Sequence, residues 1–86
     1  MDEDELKIYV FEYFDRKYPM PDDFIQKGLI VLPTMARLAN NARNLGIYLK
    51  PRHGVSITRV RNMARRWWYA RQYKLNQVWE GLVKHG

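Results

Sequence analysis

Thr34, Arg37, Asn40, Asn41, Arg43 and Asn44 fall within eleven residues of one another, and no acidic residue lies between them. Arginine guanidiniums and asparagine amides are the side chains that bond bidentately to the edges of guanine and adenine in the major groove of duplex DNA. Asparagine is also a poor helix former, so three of them on one helix face lower its intrinsic stability and call for another reason to be there. The plainer alternative is a solvated polar face that carries asparagines by chance. Two further groups of cations follow, Lys50, Arg52 and His53, then Arg59, Arg61 and Arg65, and these suit contacts to phosphate.

Other chemistry finds little to work with. The chain has no cysteine, which removes disulfides, thiolate metal sites and cysteine nucleophiles together. Ser56 is the only serine, and its nearest histidine, His53, shares a turn with it. Two histidines without a carboxylate close in sequence make neither a metal site nor a general base, and no glycine-rich phosphate loop occurs. The expectation is a protein that is not an enzyme, with no metal, no cofactor and no small-molecule substrate.

The elements that would carry these residues follow from period and punctuation. Asp2 and Glu5 have capping-box spacing, and Leu6, Val10, Tyr13, Phe14 and Tyr18 recur at helical intervals before Pro19, which predicts a helix over 4–18. Asp22 or Asp23 caps a short second helix that Gly28 ends. The apolar run 29–32 is read as a brief strand, with an extended linker as its alternative. Pro33 and Gly46 bracket a third helix over 33–45, whose Met35, Leu38, Ala39, Ala42 and Leu45 form one apolar stripe and whose other face is the Arg and Asn group.

After Gly46 the period changes to two: Ile47 and Leu49 alternate with polar neighbours, as do Val55 and Ile57. Pro51, Arg52, His53 and Gly54 between them suit a turn, so a β-hairpin over 47–58 with a basic tip is expected. From about Arg59 the pattern is helical again as far as Lys84, as one long helix or two with a bend near 72–76. The stripe of Leu75, Val78, Trp79, Leu82 and Val83 is apolar enough to pack a second copy of the chain, or to fold back on the first helix.

Eighty-six residues allow a single domain, 1–86, with a modest core, and 47% apolar with 14% aromatic residues is the composition of a globular one. No apolar run reaches the roughly 20 residues of a membrane helix, and the N-terminus is acidic where a signal peptide is basic. A soluble cytoplasmic, nucleoid-associated protein without a membrane partner is expected. The net charge of +6 conceals a division. Residues 1–33 hold eight acidic and four basic side chains, a net of −4, whereas residues 34–86 hold eleven basic and one acidic, a net of +10. Cations concentrated in this way build a positive potential that suits a polyanion, although a generic basic surface is the bland reading.

The order helix, short helix, apolar run, helix, hairpin, helix resembles the winged helix-turn-helix family of DNA-binding proteins. That resemblance implies a mainly α fold with a small β-hairpin, the helix 33–45 in the major groove and the hairpin as a wing on the backbone. It differs in the connection 28–32, which is longer and more apolar than the family's tight turn. A second register exists, because "GVSITRVRNMARRW" resembles the turn and recognition helix of an ordinary helix-turn-helix. Helix 56–70 would then read DNA through Arg59, Arg61, Arg65 and Arg66, and Pro51 stands against this by interrupting the preceding helix.

The functional expectation is a sequence-specific protein for double-stranded DNA, a homodimer of the size used in transcriptional regulation or in excision, replication or partition of phages and plasmids. Two alternatives come from "RRWWYARQYK", residues 65–74, which interleaves arginine with aromatics. One is a protein-interaction module, a small basic inhibitor or adaptor docking through Trp67, Trp68, Tyr69 and Tyr73. The other is an RNA-binding domain that stacks bases on exposed rings; the stretch is weakly similar to RNA-chaperone domains of the plasmid fertility-inhibition type, without their intervening glycines.

Overall fold

A computed structural model of the chain describes residues 1–85, and everything regular in it is helical. Helix α1 spans Glu3–Lys17, α2 Phe24–Lys27, α3 Met35–His53 and α4 Ile57–His85. At 29 residues, α4 is about 43 Å long at the usual rise per residue and accounts for most of the molecule's 49 Å long axis. Both α1 and α3 pack on α4.

Local chemistry explains each boundary. The Asp2 side chain accepts from the Glu5 amide at 2.8 Å, Glu3, Asp4 and Glu5 occupy the first turn of α1, and Arg16 and Lys17 the last, so charge opposes the macrodipole at both ends. Thr34 caps α3 by accepting from the Arg37 amide at 3.2 Å, and Ser56 caps α4 by accepting from the Arg59 amide at the same distance. Gly28 ends α2 and Gly54 ends α3, each at a positive φ of 66° and 65° that glycine adopts without penalty.

Leu6, Val10 and Phe14 from α1, Leu38, Ala42, Leu45 and Leu49 from α3, and Val60, Met63, Ala64 and Trp67 from α4 form one core. Trp67 lies at its centre, its ring stacked 5.0 Å from that of Phe14.

Three expectations are corrected. No strand occurs among the described residues, so the hairpin over 47–58 and the wing it would form are absent. Residues 47–53 instead continue α3, because Leu45 and Leu49, four apart, extend the buried stripe and Gly46 is buried inside the helix. A Cβ on Gly46 would meet Ile57 Cγ1 at 3.0 Å and Ile57 Cα at 3.2 Å, so this glycine serves the close approach of α3 to the start of α4 and ends nothing. The run 29–32 is an extended linker, and α4 passes through 72–76 without a break. Pro51, expected to interrupt a helix, sits inside the last turn of α3, which continues to His53 without the amide bond that a residue at 51 would donate to the Ile47 carbonyl.

A single charged residue fastens the linker. The Arg71 guanidinium is buried, donates to the carbonyl oxygens of Tyr18 at 2.6 Å and Val31 at 2.8 Å, meets Asp15 Oδ1 at 3.0 Å and lies over the Trp67 ring. Burial lowers its pKa and the Asp15 carboxylate pushes it back up; arginine stays charged regardless. Trp68 adds an indole bond to the Pro33 carbonyl at 2.8 Å.

Candidate nucleic-acid interface

Carboxylates of α1 divide the arginines of α4 into two groups. Glu3 holds Arg59 at 3.2 Å and Arg66 at 3.7 Å, and Asp15 holds Arg71. These three face α1. Arg61 and Arg65, four residues apart on the other flank of α4, are exposed and have no carboxylate within ion-pairing distance among the described residues.

That flank borders α3. Met35, Ala39 and Ala42 from α3 and Arg61, Ala64 and Arg65 from α4 line one shallow groove, floored by small apolar groups and rimmed by guanidiniums. Arg43 follows Ala39 by four residues and Lys50 follows Arg43 by seven, so both stand along the same side of α3. Both are exposed and, among the described residues, unpaired. Thr58, Asn62, Arg65 and Tyr69 recur at helical spacing along the outward face of α4, and all are exposed. No carboxylate occurs from Met35 to Trp79, so nothing along that stretch offsets the field of the four cations.

The residues singled out from sequence are distributed unevenly over this surface. Asn41 is turned inward, where its amide donates to the Tyr18 hydroxyl at 2.5 Å, so it holds α3 to the end of α1 and reads nothing outside. Thr34 is occupied as a cap. Arg37 and Asn40 are exposed on α3. Asn44 lines a separate cleft against α1 with Tyr9, Tyr13 and Tyr48. Arg52 folds back onto Tyr48, donating to its carbonyl at 2.9 Å and covering its ring at 3.9 Å. His53 is the last, exposed residue of α3. Arg59 is paired with Glu3.

The sequence reading left Arg66 outside the principal set and gave Arg71 no role. The signal for Arg71 was available: an arginine four residues after a core tryptophan, on the buried side of a helix, needs acceptors to be there at all. Of the aromatic group, Trp67 is buried and Trp68 half-buried, leaving Tyr69 and Tyr73 exposed.

Among the described residues, no group of three or more histidine, aspartate and glutamate side chains is placed to hold a metal ion, and no helix is long and apolar enough to cross a membrane. Compared with protein-family models, curated proteins and solved structures, the chain shows no significant match.

Proposed function

We propose that this chain binds double-stranded DNA through the face shared by α3 and the first half of α4. The observation that carries the reading is the sorting of charge: Arg61 and Arg65 are unpaired on the rim of the groove and Arg43 and Lys50 are unpaired on the same side of α3, while α1 neutralises Arg59, Arg66 and Arg71 on the opposite side. A surface that merely solubilised the protein would intersperse both signs. A phosphate backbone needs one sign, presented from a rigid support.

Within that face α4 is the better reading helix. Arg61, Asn62 and Arg65 offer the base-edge chemistry of guanidinium and amide from one exposed strip, and the helix starts from a three-residue connection, Gly54 to Ser56, after α3. Arg43 and Lys50 on α3 then serve the phosphates. Asn41, one of the candidate base readers on α3, is committed to Tyr18.

Fluorescence anisotropy with a labelled random duplex, titrated at several salt concentrations, tests this. Binding should weaken steeply with salt, and R43A/K50A should lower the slope of log K against log salt by about 2, one counterion for each phosphate no longer neutralised. An unchanged slope removes these two cations from the interface. Tyr69 and Tyr73, exposed on α4, favour a second reading in which single-stranded RNA stacks on them; stronger retention of a single strand than of a duplex would select it.

A further inference from the structure

The C-terminal part of α4 extends past the α2 and linker residues that pack beside it among the described residues. Leu75 and Trp79 form one wall of a shallow, open apolar groove of about 320 Å³ whose other wall is α2 and the linker, Phe24 to Leu32. Leu82, seven residues after Leu75 and on the same stripe, lies beyond the groove's end with Val83 beside it, and they are 48% and 77% exposed. Trp79 is half exposed, as are Ile25 and Ile30 on the facing wall.

The chain therefore carries a hole and, adjoining it on one continuous helix, a pair of apolar knobs. They cannot meet within one molecule, because α4 runs straight through Trp79 to His85 and holds Leu82 and Val83 past the hole. We infer that a second copy of this chain docks here. Its Leu82 and Val83 fill the groove between α2, the linker and Trp79, and the groove of the second copy receives the knobs of the first.

Two C-terminal segments of α4 then lie antiparallel about a two-fold axis near Trp79. This is the self-complementary arrangement that a closed dimer requires, in which a residue pair occurs twice. The apolar area left exposed on Ile25, Leu29, Ile30, Trp79, Leu82 and Val83 is on the order of 600 Å² per chain, close to the roughly 800 Å² per partner of a standard interface and large for a monomer.

Sedimentation equilibrium of the full chain without DNA tests the inference independently of the proposed function. The wild type should reach twice the chain mass by about 100 μM, with the tryptophan emission moving to shorter wavelength as Trp79 is covered. L82E/V83E, altered on the knobs, and I30E, altered on the groove, should each be monomeric with unchanged helical circular dichroism. Mixing the two variants should restore a heterodimer, because one copy keeps an intact groove and the other intact knobs. A wild type that stays monomeric at this concentration, or variants that dimerise as the wild type does, overturns the inference. A mixture no larger than its components overturns the reciprocal fit.

Discussion

Arg71 donates to the carbonyl oxygen of Val31 at 2.8 Å, across forty residues of chain, and so ties the middle of the longest helix to the extended linker. The same guanidinium reaches the Tyr18 carbonyl and the Asp15 carboxylate. It works as a three-way fastener for the end of α1, the linker and α4. Exchanging it for methionine keeps much of the volume but leaves two buried carbonyls without a donor. R71M is expected to cost about 3 kcal/mol in urea unfolding, and R71K to recover only part of this, since a single ammonium cannot reproduce the planar fork.

Asn41 donates to the Tyr18 hydroxyl inside the core. N41A should lower stability by about 1–3 kcal/mol, the cost of leaving a buried hydroxyl unpaired. Duplex affinity of the folded protein should not change, because this side chain is not on the exposed face. In a double-mutant cycle with Y18F the two losses should be strongly non-additive.

Two glycines inside helices should respond to alanine with opposite signs. Nothing lies within 4 Å of a Cβ built on Gly81, so G81A should stabilise α4 by about 0.5–1 kcal/mol through helix propensity alone. On Gly46 the new methyl would press on the Ile57 backbone, and G46A should destabilise by about 1–3 kcal/mol. Thermal unfolding of the pair reads both.

Glu3 holds two arginines on the side of α4 away from the basic face. E3Q should leave stability within about 1 kcal/mol of the wild type, since the pairs are exposed. Under the proposed function it should leave the salt slope of duplex binding unchanged, read by anisotropy at two or more salt concentrations.

Thr34 accepts from the Arg37 amide, and its hydroxyl has no other hydrogen-bond partner among the described residues. T34A should cost about 1 kcal/mol as a lost cap, with no change in the salt slope of duplex binding.

Much of this architecture was legible in the residues. The Asp2 cap, the stripe of Leu6, Val10 and Phe14, the left-handed Gly28 and the buried face of α3 all follow from spacing, because one helix face must be apolar and helix ends must be satisfied. The stretch 46–58 was not. Gly46 and Gly54 are both acceptable terminators when only local chemistry is considered, and Ile47, Leu49, Val55 and Ile57 do alternate. The choice between them is made by Ile57, which needs the bare backbone of Gly46 against it, and by Leu49, which belongs with Leu45 in the core. Both are tertiary contacts that a period cannot express. The candidate site shifted for the same reason. Arg and Asn on a helix report chemistry, but Asn41 alone shows that a residue suited to a base edge suits a buried tyrosine equally well.

The connection between α3 and α4, only Gly54, Val55 and Ser56, bears on how the chain reaches this state. Closing so short a loop loses little entropy, so the hairpin of helices can assemble from neighbours in sequence. Helix α1 must instead travel back over more than forty residues to seat Phe14 on Trp67. It is expected to dock late in folding and detach early in unfolding, and amide protons of α1 should exchange sooner than those of α4 around Met63.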